Sequence, residues 1–187
     1  MIREIMYILP QKFFPFFAIF LLLAVFERVL STFFNNKTKA TQKIHHKWIF
    51  TTLFYSYILI VLISVIEHVL VVSNVNLLVS GAGILLFGCG VLFRRKAIAD
   101  LGDNWSIFTE IKEGQELVTT GIYRVLRHPY YVAVFLELTG VCFVSNAYSS
   151  LMLVFAVQTP LLFVRVVLEE RMLVNCFGKA YEEYREI

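Results

Sequence analysis

A chain of 187 residues is long enough for one domain. Hydrophobic residues make up 58% of it and charged residues only 17%, against about 25% charged in a soluble domain. Mean hydropathy is +0.71 and net charge only +3, which excludes an ordinary soluble core and gives no reason to expect a nucleic-acid partner.

The apolar residues come in long blocks instead of on one face of each helix. Segments that must satisfy their own backbone hydrogen bonds in lipid read this way, so the expected fold class is all-α, a polytopic integral membrane protein. The three cysteines, Cys89, Cys142 and Cys176, are odd in number and far apart. They form no disulfide framework or zinc spacing, and read as small apolar side chains.

The first block, Phe13 to Phe34, has 22 residues, where a span needs roughly 20. It is too long for a signal-peptide core, and no small-residue cleavage site follows. Lys37, Lys39, Lys43 and Lys47 come next without an acid, which predicts a cytosolic loop. The second block, Trp48 to Val72, meets the third, Leu77 to Phe93, across the short turn Ser73 to Asn76, an antiparallel hairpin whose tip points away from the cytosol. Arg94, Arg95 and Lys96 then mark the cytosolic side again. Within the third block, GAGILLFG superficially resembles a dinucleotide loop. No strand precedes it, and Gly81, Gly83, Gly88 and Gly90 read instead as small residues for close helix packing.

From Ala97 to Arg127 the composition turns polar, with Asp103, Asn104, Glu110, Lys112, Glu113 and Gly114, and predicts a long cytosolic loop with Trp105 and Phe108 at the membrane interface. Long loops of this kind are often functional. The fourth block, Tyr131 to Val144, has 14 residues and reaches only about 21 Å as a helix. The fifth, Leu151 to Leu168, contains Pro160 and leads into the charged, aromatic tail EERMLVNCFGKAYEEYREI. The expectation is a single membrane domain over 1–187 with about five helices, amino terminus outside and carboxyl terminus cytosolic. Residues 1–96 form a three-helix part and 97–187 carry the site.

Ionisable residues inside spans are functional candidates by default. Glu27 with Arg28, and Glu67 with His68, lie near helix ends and read as anchors or helix-pairing groups. Arg165 and Glu169 are four apart and share a helix face. Glu137 lies at a depth where it could pair with Arg165. His128 and Pro129 open the fourth helix, where proline is tolerated and unpaired N–H groups suit an anion. Tyr123, Tyr130 and Tyr131 taken alone are an interfacial aromatic belt.

Taken together, Arg127-His128-Pro129-Tyr130-Tyr131, then Arg165 with Glu169-Glu170, then Phe177-Gly178-Lys179-Ala180-Tyr181 with Tyr184 resemble the isoprenylcysteine carboxyl methyltransferase family, which is related to membrane phospholipid methyltransferases. LVTTGIYR and the upstream LGDNWS fit its short microbial members, and the resemblance covers roughly residues 98–187. It implies an S-adenosylmethionine pocket in the carboxyl-terminal half, closed to lipid and open to the cytosol. The positions matching the family's cofactor contacts are Gln115, Glu116, Leu117, Val118, Tyr123, His128, Pro129, Tyr130, Tyr131 and Glu169. Arg165 matches the arginine at the substrate end. The family's usual histidine is Gln115 here, a change that a backbone contact would survive.

The resemblance implies methyl transfer to a lipidic or prenylated acceptor held in the bilayer. For a carboxylate, as in prenylcysteine, Arg165 supplies placement and no base is needed. A phenol, an enol or a phospholipid amine would need Glu137 or Glu169 as base. The expected catalytic group is therefore Arg165, Glu169 and Glu137. Two weaker readings are a sterol-reductase-like enzyme using reduced nicotinamide, which would need about twice as many spans, and a transporter, for which no internal repeat is found.

Overall fold

The structure, a computed structural model, describes residues 7–33, 47–106 and 115–186. Lys37, Lys39 and Lys43, and Phe108, Glu110, Lys112, Glu113 and Gly114 of the polar stretch, lie outside the described residues. Helix α1 is Pro10–Phe33, α2 Lys47–Leu70, α3 Leu77–Leu101, α4 Pro129–Ser145, α5 Tyr148–Phe177 and α6 Lys179–Glu186. Four of them (α1, α2, α3 and α5) are long and apolar enough to cross a membrane, and α4 is shorter. The fold is an all-α polytopic membrane bundle.

A two-stranded antiparallel pair, β1 (Tyr7–Ile8) with β2 (Val75–Asn76), joins the start of α1 to the α2–α3 turn. This marks one end of the bundle, far from the polar loop. Asn76 caps α3 by accepting from the Leu78 and Val79 amides, the role for which a short polar side chain suits an N-cap. Asn146 ends α4 with φ at +56°, a conformation asparagine tolerates. Its side chain accepts from the Asn76 amide at 2.8 Å and donates to Ser80 at 2.8 Å.

Glu67 and His68 at the end of α2 act as anchors at this same end. Glu67 accepts from the Ser149 and Ser150 amides and from the Ser150 hydroxyl at 2.7–2.8 Å, so α2 caps the start of α5. His68 Nδ1 lies 2.7 Å from the Ser145 carbonyl; a carbonyl only accepts, so Nδ1 carries the proton. Glu67→Ala is expected to lower stability by about 1–2 kcal/mol, as loss of an N-cap does, read as a lower unfolding temperature in detergent.

Two helix boundaries differ from the sequence expectation. The third helix runs on to Leu101, because Arg94 and Arg95 find carboxylate partners along its face and need not mark a helix end. The polar connection therefore starts at Gly102. The fifth helix continues past Leu168 to Phe177, 30 residues in all. At 1.5 Å per residue that is about 45 Å, against a hydrocarbon core of about 30 Å, so the helix is longer than one span needs, and Glu169 and Glu170 lie in its last turns.

The shortness of α4 has a packing explanation. Most of its residues are buried, from Pro129 and Ala133 through Leu138 to Ser145, so its length answers to its neighbours and not to lipid. Gly83 and Gly90 of α3 face it across a seam so close that an added Cβ at Gly83 would meet the Val144 amide nitrogen at 2.6 Å.

Candidate active site

At the end opposite β1 and β2, a cavity of about 130 Å3 is lined from the end of α3, the polar connection, the start of α4, the last turns of α5, and α6. The connection is fixed by short-range geometry. Asp100 accepts from the Ile122 amide at 2.7 Å, which pins the 3-10 turn Gly121–Arg124 to α3. Gly121 has φ +63°, and a Cβ there would lie 2.1 Å from the Asp100 carboxylate, so glycine is required. Helix α6 follows Gly178 (φ +53°) and folds back, with the Tyr184 hydroxyl donating to the Tyr123 carbonyl.

Gln115, Glu116, Leu117, Val118, Tyr123, His128, Pro129, Tyr130, Tyr131, Arg165 and Glu169 all line this one cavity, although 54 positions separate the first from the last in the chain. Tyr131 joins the two halves. Arg165 Nε donates to the Tyr131 oxygen at 2.8 Å, and the Tyr131 hydroxyl donates in turn to Glu169. The arginine and the carboxylate that share a face of α5 are thus linked through a tyrosine of α4. At the mouth, Arg127 pairs with Glu170 at 2.9 Å. His128 Nε2 lies 3.2 Å from the same oxygen, and its ring stacks on Tyr131 at 5.8 Å.

Several further lining residues were not among the expected cofactor contacts, although Phe177, Tyr181 and Tyr184 stand in the motif that carries the family resemblance. Trp105 is buried, with its ring 4.8 Å from that of Tyr130. Its place beside LGDN gave no sign of this, since only the fold of the connection brings it back over α4. Met172, Leu173 and Phe177 belong to the unexpected extension of α5. Tyr181 is 1% exposed, and its hydroxyl has no hydrogen-bond partner among the described residues, an uncommon state for a buried polar group. Burial pushes the Tyr181 phenol up to about 12. Burial likewise raises Tyr123, with Glu169 adding to the effect.

Because the folded phenol of Tyr181 ionises above its ordinary pKa, its contribution to α6 docking is complete below pH 10 and is lost as pH rises through about 12. Tyrosinate absorbance titrated in wild type and Tyr181→Phe is expected to differ by one group ionising late, near pH 12. A difference centred at pH 10 would mean that the ring is solvated.

A second cavity, of about 300 Å3, lies on the other side of the same residues. Apolar side chains such as Val25, Phe54, Val134 and Leu162 line it, and it is bounded by α1, α2, α4 and α5. Val25, Val29, Phe54 and Ile58 are partly exposed on the lipid-facing surface. Its charged lining residues are Arg28 and Arg165, and it shares Tyr130, Tyr131 and Arg165 with the first cavity.

Glu137 lines neither cavity, and the expected pairing with Arg165 is replaced by others. Its Oε1 accepts from Arg94 at 2.7 Å and its Oε2 from Arg28 at 2.5 Å. The reason is register: α3 extends through Arg94, which brings a fully buried guanidinium alongside α4. Arg94 also donates to Ser31 and Glu27, and Arg95 pairs with Glu27 at 2.8 Å. Glu27 and Arg28 thus pair helices, as expected of them, and tie α1 to α3 and α4.

A family model described as phospholipid methyltransferase matches residues 79–180, more than half of the chain. A curated relative from Schizosaccharomyces pombe, a protein-S-isoprenylcysteine O-methyltransferase, is 34% identical over 95 residues. That alignment covers 50% of this chain and 40% of the relative. The family match takes in every lining residue of the first cavity except Tyr181 and Tyr184, whereas the α1 and α2 wall of the second cavity lies outside it.

Proposed function

The chain belongs to the phospholipid methyltransferase family, and we propose that it is an S-adenosylmethionine-dependent methyltransferase that esterifies the carboxylate of a lipidic acceptor, such as a prenylcysteine, within the membrane. The observation that carries this reading is the pair of cavities, one polar and aromatic at the bundle end, one apolar and lipid-facing, that meet at Tyr130, Tyr131 and Arg165. A methyl donor and a lipid would meet there without either leaving its own phase.

The first cavity fits the donor chemically. Trp105, Tyr123, Tyr130 and Tyr131 offer π faces to a sulfonium or an adenine. Glu169 offers carboxylate oxygens to ribose hydroxyls, and the orphaned Tyr181 hydroxyl offers a further buried polar partner. S-adenosylmethionine supplies, when bound, an electrophilic methyl group on a positively charged sulfur. The chain supplies placement. Arg165, fixed by Tyr131, holds positive charge at the junction and attracts a carboxylate from the apolar side. A carboxylate is already ionised, so no protein base has to act. Esterification removes the charge that Arg165 attracts, and this favours release of the product into lipid.

Arg165, where the two cavities meet, supports an anionic acceptor, whereas Arg28 is already paired with Glu137. A phenol or enol would have to give its proton to Glu169, reached through Tyr131. The bundle end carrying the first cavity also carries Arg94, Arg95, Lys96, Arg124 and Arg127, which supports its facing the cytosol with the amino terminus outside.

The test is S-adenosylmethionine binding and transfer of its labelled methyl group to N-acetyl-S-farnesylcysteine by the protein in phospholipid nanodiscs. Glu169→Ala is expected to weaken cofactor binding by about tenfold to a hundredfold, the scale of a lost hydrogen bond to a charged group. Arg165→Ala is expected to keep cofactor binding within a few-fold while transfer falls by about a hundredfold. Absence of cofactor binding by wild type would sink the reading. Transfer to a farnesylated phenol in preference to the carboxylate would overturn the choice of acceptor alone.

A further inference from the structure

The walls of the first cavity are not held equally. Helices α3 and α4 meet across a backbone-to-backbone seam. The 3-10 turn Gly121–Arg124 is tied to α3 by Asp100 and by the Tyr123 hydroxyl, which donates to the Ala97 carbonyl at 3.3 Å. Helix α6 is held lightly. Of its eight residues, Tyr181 and Tyr184 are buried and line the cavity, and the rest are exposed. Among the described residues, one hydrogen bond joins α6 to an element other than α5, from the Tyr184 hydroxyl to the Tyr123 carbonyl. Gly178, between α5 and α6, has φ +53° and ψ −128°, a conformation that favours glycine. An added Cβ there would meet nothing within 4 Å, so the joint stands in open space.

The two tyrosines act in opposite directions. Tyr184 favours the docked helix through its hydrogen bond. Tyr181 packs edge-on to Tyr184, with ring centroids 5.9 Å apart, a contact that phenylalanine would keep. The Tyr181 hydroxyl finds no partner among the described residues, and a buried hydroxyl left unpaired disfavours the docked helix by about tenfold or more. A ligand group that pairs it favours docking by the same factor. Such a differential interaction is what a ligand needs to move an element between two positions.

We propose that α6 is a lid over the first cavity, hinged at Gly178, latched by Tyr184 and made cofactor-responsive by Tyr181, whose hydroxyl pairs with a polar group of S-adenosylmethionine as the lid closes. This inference rests on the reading of the first cavity as the cofactor site. It gives α6 control over entry of the cofactor and release of its demethylated product.

The test is the rate of association and dissociation of tritiated S-adenosylmethionine on the protein in nanodiscs. A hydrogen bond that latches the lid is made with and without cofactor, so its loss changes both rates and leaves affinity alone. Tyr184→Phe is therefore expected to raise both rates by about three- to tenfold, the scale of one neutral hydrogen bond, with the dissociation constant within about twofold of wild type. Tyr181→Phe is expected to weaken affinity by about three- to tenfold, while the cofactor-free protein unfolds at the same temperature as wild type or higher. Gly178→Ala strains the hinge and is expected to speed dissociation, which provides the comparison if Tyr184→Phe does not fold. Unchanged rates in Tyr184→Phe and Gly178→Ala, or faster dissociation of Tyr184→Phe with a matching loss of affinity, would overturn the lid. Unchanged affinity of Tyr181→Phe would overturn its role as the responsive group. In each of these results wild type binds the cofactor, so the reading of the cavity stands; absence of binding by wild type would overturn both.

Discussion

Glu137→Ala is expected to destabilise the protein by about 3–5 kcal/mol, the cost of removing one partner from a buried ion pair. The carboxylate is fully buried and takes an arginine on each oxygen, Arg94 at 2.7 Å and Arg28 at 2.5 Å. Removing it leaves the Arg94 guanidinium, which has no solvent exposure, with Glu27 as the remaining carboxylate in contact. The double variant Glu137→Leu with Arg94→Met is expected to lose less than Glu137→Ala alone, because replacing both charges removes the uncompensated one. Thermal unfolding in one detergent, with all variants at the same protein concentration, checks both statements.

For a phenol, enol or amine acceptor the sequence offered Glu137 or Glu169 as base, and for Glu137 the two roles separate experimentally. If Glu137 holds helices together, Glu137→Gln lowers the yield of folded protein and changes turnover per folded molecule little on any acceptor. If it is a base, turnover collapses on a phenol while the carboxylate acceptor is unaffected. A clean loss on the phenol with full stability would return Glu137 to the chemistry.

What was legible in the sequence depended on how local the signal was. Spans showed as unbroken apolar runs, and the hairpin at Ser73 to Asn76 showed as a short polar break, because bilayer thickness sets both. The motif residues from Gln115 to Tyr131 and from Arg165 to Glu169 could be grouped because their types and spacing carried a family resemblance. Pairings across helices were not legible. Nothing local to Arg94 says that it turns inward to Glu137; three consecutive cations after an apolar run read as a helix end. Trp105 and Tyr181 come to the cavity only through the fold of the connection and of α6.

The four glycines of α3 were read as one packing surface, and the structure divides them in a way that makes the largest packing prediction. Gly83 and Gly90 face α4, while an added Cβ at Gly81 or Gly88 would meet nothing within 4 Å. The counterpart on α4 is Gly140, whose added Cβ would lie 2.7 Å from the Phe87 amide nitrogen and 2.8 Å from the Gly83 carbonyl. Those are backbone atoms of a helix and cannot swing aside, so the helices themselves must part. Gly140→Ala is expected to cost about 1–3 kcal/mol, as overpacking does, and Gly140→Leu to prevent folding. Gly81→Ala and Gly88→Ala are expected to be neutral or to stabilise by up to about 1 kcal/mol through helix propensity. The seam also sets the position of α4, which carries Tyr131 to within 2.8 Å of Arg165. Under the proposed function, methyl transfer by the folded fraction of Gly140→Ala should therefore fall further than S-adenosylmethionine binding does. Equal unfolding temperatures for Gly140→Ala and Gly88→Ala would show that the seam has room the backbone spacing denies.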